Sequence, residues 1–399
     1  MSPRSREGRW VPIACVALLA TWTAFAQSET KEKARLDIYG FAMADTGYET
    51  KTSDPDWFDV MRPTKLPSFE GEFGGDGRTY FSVRQTRFGV KGFIPTSRGV
   101  IKTIFEFELF GVGTDAGQTT FRLRHAWGEL NDWGAGQSWS PFMDPDVFPN
   151  SLEYWGPNGM VFFRNVQIRW MPLQGENEVY VALERPGASG DPGVFSGSPE
   201  IANLEGRFPL PDLTGHYRRN ADWGHVQISG IVRAIRWDDN DPNAPNLQGA
   251  ATGWGINLSG SLKVGEADAL KGQVVVGEGM ENYMNDATVD VGAVFGSDVG
   301  EVLPIVGVLL FYDHTWSDKF TSTIGYSMVD IDNSEAQLPS AFKKGQYALT
   351  NLLYHPTEDL MWGGEVIWGD RENFDDGFSS DDLRVQLSIK YKFGTSVGG

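Results

Sequence analysis

The segment from 383 to 393 alternates strictly between apolar and polar side chains. Its odd-numbered positions are apolar, and its even-numbered positions carry Arg384, Gln386, Ser388, Lys390 and Lys392. Because successive side chains of a β-strand point to opposite faces, this segment predicts a strand with one apolar and one polar face. Such a strand suits two architectures. A soluble sandwich packs the apolar face on a second sheet, whereas an outer-membrane barrel turns it towards lipid.

Alternating segments of this kind recur along the chain and predict about sixteen strands. They are separated by clusters of Gly, Pro, Asn and Asp, which favour turns. The predicted strands cover residues 35–46, 79–92, 100–110, 121–127, 133–139, 166–170, 177–185, 212–220, 223–236, 251–263, 268–279, 304–317, 319–331, 344–355, 360–371 and 383–393. In 304–317 and 344–355 apolar residues occupy both parities, so the pattern does not assign a face to them.

The connections between these strands alternate in length. Every second connection is tight, namely 95–98, 131–132, 172–177, 221–222, 265–268, 317–318 and 356–359. Most of the others are long, acidic and rich in Gly, Pro and Asn, as in 186–211, 237–250, 280–303 and 331–343. Short turns at one rim and long loops at the other are typical of bacterial outer-membrane barrels, and a two-sheet sandwich has no reason to alternate in this way. We therefore predict an all-β fold, a transmembrane antiparallel β-barrel over residues 35–393.

Residues 1–26 have the three parts of a secretory signal peptide. Three arginines precede an apolar run over residues 10–25, and Ala24-Phe25-Ala26 is a small-residue cleavage signal. We expect residues 27–34 to form a short periplasmic leader and residues 394–399 to form a C-terminal tail after the barrel. Cys15, the only cysteine, leaves with the signal peptide, so the mature protein needs neither disulfides nor thiol chemistry.

Composition and charge narrow the classes of function. The 399 residues include 48 Gly, 14 Trp, 12 Tyr and 25 Phe, which suits many strands and tight turns. Removing three arginines and Glu7 with the signal peptide leaves 31 of 34 basic and 52 of 53 acidic residues, a net charge of −21 that does not favour nucleic acid. The longest later apolar run, 302–312, is too short for a membrane helix. The chain would therefore cross a membrane only as a closed barrel.

The connection 140–159 is the predicted inward-folded third loop. Sixteen strands enclose a lumen too wide for side chains to fill, so a loop that folds inwards would narrow it. The loop presents the carboxylates of Asp144 and Asp146 to the lumen. Its apolar residues, which would pack against the inner wall, are Phe142, Phe148, Tyr154 and Trp155. The alternative is a plain surface loop.

Basic residues on the early strands are predicted to face the lumen, because the positions between them are apolar. They are Arg87, Lys91, Lys102, Arg122, Arg124 and Arg169. With Glu106, Glu108 and the two loop carboxylates they would set a transverse field across a pore constriction. Since arginine binds carboxylates and phosphates through its planar fork, we predict an attraction for anions. The alternative is that these charges only solvate a polar wall.

Alternation assigns other side chains of the same region to the outer face. Trp127 and His125 have outward parity, as do the charged residues Arg84 and Arg164. A charged side chain at such a position requires a β-bulge that redirects it or a place near a rim.

The sequence contains no recognisable catalytic or metal-binding motif. G-x-S-x-G and H-E-x-x-H are absent, and the five histidines lack the spacing of a metal site. The run from Asp238 to Asp241 lacks the spacing of a calcium loop, so a solvated acidic loop is favoured. We predict neither an enzyme activity nor a cofactor.

Three stretches resemble the trimeric outer-membrane porins of the DcaP-like family. They are FRLRHAWGELNDWGAGQSWSPFMD at 121–144, QTRFGVKG at 85–92 and GPNGM at 156–160. The resemblance implies a sixteen-stranded homotrimer whose inward third loop narrows the pore, with a preference for small anionic solutes such as dicarboxylates. By motif alignment it places Arg87, Arg122, Arg124 and Arg169 in the basic wall.

We therefore predict an exported outer-membrane porin that contacts lipid and passes small hydrophilic solutes by diffusion. One alternative is a non-selective or cation-preferring porin, because the long loops are acidic. Another is a carbohydrate-binding β-protein, either soluble or a barrel, in which tryptophans supply platforms for sugars.

Overall fold

The computed structural model describes residues 33–198, 201–240, 247–295 and 300–398. The predicted signal peptide, and the leader as far as residue 32, lie outside this part of the chain. The described residues contain no helix whose length and apolarity would allow it to span a membrane.

The described chain is built almost entirely of antiparallel strands. They are β1 Arg35–Glu49, β2 Arg78–Ser82 and Arg87–Thr96, β3 Gly99–Phe110, β4 Thr119–Leu130, β5 Trp133–Trp139, β6 Arg164–Leu173, β7 Asn177–Glu184, β8 Leu204–Arg207 and Asp212–Ala221, β9 Gly224–Asp239, β10 Gly249–Val264, β11 Asp268–Glu278, β12 Pro304–Ser317, β13 Phe320–Ile331, β14 Phe342–Thr357, β15 Leu360–Asn373 and β16 Ser379–Gly398. Both segments of β2 pair with β1, and both segments of β8 pair with β9, so each counts as one interrupted strand.

The sheet closes on itself through its first and last strands. β1 pairs with β16 along its whole length, from Arg35 opposite Gly398 to Glu49 opposite Arg384. Every other strand pairs with its sequence neighbours, which gives a closed barrel of sixteen strands. The predicted fold class and strand count are confirmed. The end of the chain differs from the prediction, because residues 394–398 extend β16 along residues 35–39 instead of forming a tail.

The connections follow the predicted alternation. One rim carries tight turns such as 97–98, 131–132 and 222–223. The other carries eight longer connections, which are L1 50–77, L2 111–118, L3 140–163, L4 185–203, L5 240–248, L6 279–303, L7 332–341 and L8 374–378. Residues 199–200 of L4, 241–246 of L5 and 296–299 of L6 lie outside the described part of the chain. L4 and L6 are joined by a small sheet of Gly190–Asp191, Val291–Gly292 and Glu301–Val302.

The two faces of the barrel wall differ in chemistry. Apolar side chains on the outer face are exposed, as at Phe121, Ile168 and Leu387. The inner face carries polar side chains that are buried against loops, as at Ser229 and Gln386. This division is the one expected of a barrel in lipid around a polar lumen.

A core formed by L1, L3 and L6 packs on the inner face of β12 to β15. Its loop residues include Met61, Phe142, Met160 and Tyr283. These wall strands contribute Ile305, Leu309, Phe311, Val329, Ile331, Phe342, Tyr347, Leu349 and Ile367, and Ile231 of β9 and Val275 of β11 add to the same core. Because this part of the inner face is apolar, these strands are apolar on both sides. The core therefore explains why the parity of 304–317 and 344–355 is ambiguous.

A β-bulge in β4 overturns the predicted orientation of two side chains. The register between β3 and β4 shifts between Glu106 and Phe107. His125 pairs with Glu106, and the preceding residue, Arg124, is the extra residue of the bulge. Beyond the bulge the parity of β4 is reversed. His125 and Trp127 are consequently buried among lumenal side chains and do not lie on the outer face.

Candidate functional site: loop L3 and an arginine cluster on the inner wall

L3 lies against the inner face of the strands from β9 to β11 in its first half. Ser229 Oγ and Asn257 Nδ2 donate hydrogen bonds to the Phe142 carbonyl at 2.8 and 3.1 Å. Lys271 Nζ donates to the Phe148 carbonyl at 2.7 Å. These donors are the lumenal polar residues of their strands, so the path of L3 is fixed by side chains that the alternation of the strands directs inwards.

Asp144 is the most strongly bound side chain of this half. His225 Nε2 lies 2.8 Å from Asp144 Oδ2, Ser259 Oγ donates to the same oxygen at 2.7 Å, and Arg218 Nη1 lies 3.4 Å from Oδ1. Burial acts to raise the pKa of Asp144, but the hydrogen bonds from His225 and Ser259 and the charge of Arg218 outweigh it and hold the pKa below its usual range. Arg218 also pairs with Asp146, whose side chain is 56% exposed.

Asp144, Asp146 and His225 offer ligand atoms that lie within 4.8 Å of one another. The oxygens of Asp144 are already engaged by Ser259, His225 and the guanidinium of Arg218. A cation would have to compete with that guanidinium, so the contacts favour an anchor for the loop over a metal centre.

The second half of L3 is bound by buried carboxylates. The backbone N–H groups of Leu152 and Glu153 donate to the two oxygens of Glu365 on β15, each at 2.9 Å. Glu153 itself accepts hydrogen bonds from the backbone of Met61 at 3.0 Å and from Gly156. Burial raises the pKa of Glu153 to about 8, although these N–H donors act in the opposite direction.

The aromatic end of L3 contacts the wall beside β3. The ring of Tyr154 stacks on Phe110 with 4.1 Å between centroids, and its hydroxyl donates to Glu108. The next residue, Trp155, packs edge to face against Trp57 of L1, with 4.8 Å between ring centroids, and the guanidinium of Arg62 lies 4.2 and 4.1 Å from the Trp155 and Trp57 centroids. L1 and L3 thus support each other.

Four guanidinium groups surround two carboxylates next to Tyr154, and we call them the arginine cluster: Arg87, Arg122, Arg124 and Arg164. Arg124 donates to Glu106 at 2.6 Å and to Glu108 at 2.7 Å. The nearest nitrogens of Arg87, Arg122 and Arg164 lie 3.3, 3.6 and 3.8 Å from Glu108. Four positive charges therefore face two negative ones.

Arg164 was not among the lumenal bases predicted from the sequence. It is the first residue of β6, and its guanidinium lies 4.8 Å from the ring centroid of Trp139, the last residue of β5. Alternation along β6 gives it outward parity, whereas the end of L3 directs it inwards. The sequence feature that could have identified Arg164 as lumenal is its position at the junction of L3 and β6. Arg84 is likewise buried, in the gap of β2, where it pairs with Asp59 at 2.6 Å.

Arg169 lies apart from the arginine cluster. Its guanidinium is between the rings of Trp127 and Tyr180, 4.8 and 5.5 Å from their centroids. It donates to Gln167 Oε1 at 3.0 Å and to the Trp139 carbonyl. Among the described residues no carboxylate lies within salt-bridge distance of Arg169, so its charge remains available to the lumen.

The two predicted lysines lie closer to the rim with the tight turns. Lys91 Nζ is 5.1 Å from the ring centroid of Tyr39, and Lys102 pairs with Glu129 at 3.1 Å. The Tyr39 ring lies directly over the backbone of residue 89, which is glycine. A Cβ atom added at this position would lie only 2.4 Å from the ring. Lys390 was also absent from the lumenal bases predicted from the sequence. Its Nζ lies 4.9 Å from the ring centroid of Phe41.

The predicted site residues therefore separate into distinct groups. Arg87, Arg122, Arg124, Glu106 and Glu108 come together beside the end of L3. Asp144 and Asp146 lie at the anchor of L3 on β8 to β10. Arg169 occupies a third position, and Lys91 and Lys102 a fourth near the rim.

The chain matches known outer-membrane proteins along nearly its whole length. A family model described as DcaP outer membrane protein matches residues 30–393. The crystal structure of the outer membrane channel DcaP of Acinetobacter baumannii is 24% identical, with a TM-score of 0.76 over 90% of this chain and 97% of that chain. No curated protein matches the sequence.

More distant barrels share the fold. The anion-selective porin from Comamonas acidovorans is 12% identical, with a TM-score of 0.58 over 90% of this chain and 100% of that chain. The trimer form of OmpT, an outer membrane protein of Vibrio cholerae, is 11% identical, with a TM-score of 0.54 over 90% of this chain and 99% of that chain. These likenesses show a porin fold, and the family match confirms the resemblance found in the sequence.

Proposed function

We propose that this chain, which belongs to the DcaP outer membrane protein family, is a porin that passes small hydrophilic anions by diffusion, with dicarboxylates as the favoured class. The observation that carries this proposal is the excess of two positive charges in the arginine cluster, which lies beside the end of L3. A loop that narrows the lumen brings solutes close to these charges. Close fixed charges govern which ions pass.

The further bases support a path for anions that is longer than one constriction. Arg169 has no carboxylate partner within salt-bridge distance among the described residues, and Lys91 and Lys390 have none either. They lie on β2, β6 and β16. A dicarboxylate interacts with two cationic positions at once, which favours it over a monoanion of similar size.

The same proposal includes export by a signal peptide and assembly as a homotrimer in contact with outer-membrane lipid. Phe88, Phe107 and Phe121 form an outward-facing aromatic row on β2 to β4, with neighbouring ring centroids 5.5 and 5.0 Å apart. An apolar row of this kind suits burial against a second copy. A single subunit mass in detergent, with no heat-modifiable oligomer on gels, would contradict the trimer.

Uptake into proteoliposomes tests the proposed selectivity with three solutes of four carbon atoms. We expect succinate to enter faster than erythritol, and erythritol faster than putrescine, because the cluster attracts the dianion and repels the dication. Equal rates would indicate a non-selective pore, and faster entry of putrescine would indicate control by the acidic loops. If folded protein allowed none of the three solutes to enter, the porin function would be rejected in favour of a binding role.

A further inference from the structure

Glu108 lies among the four guanidinium groups of the arginine cluster. It is fully buried, with 0% of its side chain exposed. Arg124 Nη1 lies 2.7 Å and Arg87 Nη2 3.3 Å from its Oε2 atom. Arg122 Nη1 and Arg164 Nη2 lie 3.6 and 3.8 Å from its Oε1 atom, to which Tyr154 also donates. One carboxylate is thus shared by four guanidinium groups.

The contacts leave donors on two of these arginines incompletely used. Arg164 Nη1 is buried and has no hydrogen-bond partner, and only 6% of the side chain is exposed. Arg122 lies beyond hydrogen-bond distance of Glu108 and donates only a long hydrogen bond, of 3.4 Å, to the Tyr154 hydroxyl, and its side chain is 26% exposed. Guanidinium donors without close acceptors are costly when buried, so they favour the arrival of an anionic oxygen.

A solute carboxylate that used these donors would also be next to Glu108. The two carboxylates carry like charges and compete for the same guanidinium groups. Like charges at short distance in a partly buried site repel strongly. A channel requires binding that is favourable enough for entry and weak enough for release. Repulsion by Glu108 would make the binding weak enough for release. The positive excess of the cluster would remain, and it makes binding favourable enough for entry.

We propose that Glu108 determines how long a carboxylate solute remains at the constriction, by competing with it for Arg122 and Arg164. This inference rests on the porin function proposed above. In the empty channel Glu108 holds the arginines in place, with Tyr154 donating to it from L3. When a solute enters, repulsion by Glu108 weakens its binding and favours its release.

The test is the block of single-channel potassium chloride current by sodium succinate. Glu108→Gln keeps the size of the side chain and removes its charge. We expect the succinate concentration that halves the current to fall about tenfold, which corresponds to 1.4 kcal/mol of tighter binding. Glu129→Gln is the matched control, because it removes a lumenal carboxylate that pairs with Lys102 outside the cluster. Its half-blocking concentration should stay within about twofold of wild type.

An unchanged or raised half-blocking concentration in folded Glu108→Gln would overturn the inference. Folding is checked by heat-modifiable migration on gels. If Glu108→Gln does not assemble, Glu106→Gln removes the other carboxylate of the cluster, which accepts from Arg124 at 2.6 Å. We then expect a fall of about threefold, and no fall would equally overturn the inference. Failure of the porin proposal is distinguishable, because the wild type would then carry no current or no anion preference.

Discussion

Tyr154 of L3 stacks on Phe110 of β3, with 4.1 Å between ring centroids and an interplanar angle of 13°. Phe110 is fully buried and also lies under the guanidinium of Arg84, at 3.8 Å. The stack therefore connects the loop to a rigid part of the wall. It places the Tyr154 hydroxyl at Glu108, so the position of L3 and the charge of the arginine cluster are coupled.

Replacing Tyr154 by alanine should loosen the end of L3. The variant loses a stacked ring and a hydrogen bond, together worth about 2 kcal/mol. We expect a larger single-channel conductance with more frequent transitions. Tyr154→Phe is the matched control, because it retains the stack, so its conductance should stay close to that of wild type. Equal conductance in all three proteins would show that this end of the loop does not restrict the current.

Asp144→Asn should weaken the other attachment of L3. The carboxylate is fully buried and accepts from Ser259 and His225, and a neutral amide leaves Arg218 without a buried counter-charge. We expect the free energy of unfolding to fall by about 2–4 kcal/mol. Asp146→Asn changes the exposed partner of the same arginine and should cost about 1 kcal/mol or less. Equal losses in thermal unfolding would contradict the assigned anchor.

The buried carboxyl of Glu153 predicts a pH dependence of stability. Its pKa is about 8 in the folded protein and near 4.5 when the chain is unfolded, so the folded state holds the additional proton between these values. The contribution of Glu153 to the free energy of unfolding should therefore be largest below pH 4.5 and fall by about 1.4 kcal/mol per pH unit as the pH rises towards 8.

Thermal unfolding of Glu153→Gln between pH 5 and 8 measures this contribution. The variant should lose that part of the slope, whatever pH-independent cost the amide introduces. Glu335→Gln, at an exposed position of L7, should leave the slope unchanged. A slope that persists in Glu153→Gln would assign the pH dependence to other groups.

Arg164→Gln should reduce anion preference although Arg164 lies outside the predicted set. The change leaves three positive charges against two in the cluster, and we expect the ratio of chloride to potassium permeability to fall at least about twofold. The control is Arg219→Gln, which changes an exposed arginine paired with Glu176 at the rim. A ratio unchanged in Arg164→Gln would indicate that this guanidinium does not act on the ions.

The periodic part of the fold was predictable from the sequence, and the exceptions have local physical causes. Alternation and the rhythm of connections predicted the barrel, because lipid and lumen demand opposite chemistry on the two faces of each strand. Trp127 was misassigned because a single inserted residue in β4 reverses parity, and nothing in the local sequence marks that bulge. Arg164 was missed because a loop, not the strand period, sets its direction.

The apolar part of the inner wall was the largest feature that alternation did not predict. Phe311 and Leu349 face inwards, where a water-filled pore would call for polar residues, because L1, L3 and L6 cover them. In the sequence, this packing was reflected only in the apolar residues at both parities of 304–317 and 344–355. Which loops supply the cover depends on packing between residues far apart in sequence, such as Met61 and Phe342 of the same core, and no local pattern specifies it.

The most direct test of the account is the zero-current potential across a planar bilayer with the purified protein in a potassium chloride gradient. We predict a potential of the sign given by chloride preference, and a shift towards potassium preference in Arg122→Glu, which reverses one charge of the cluster. A potassium preference in the wild type, or a potential unaffected by Arg122→Glu, would contradict the claim that the arginine cluster selects the permeating ion.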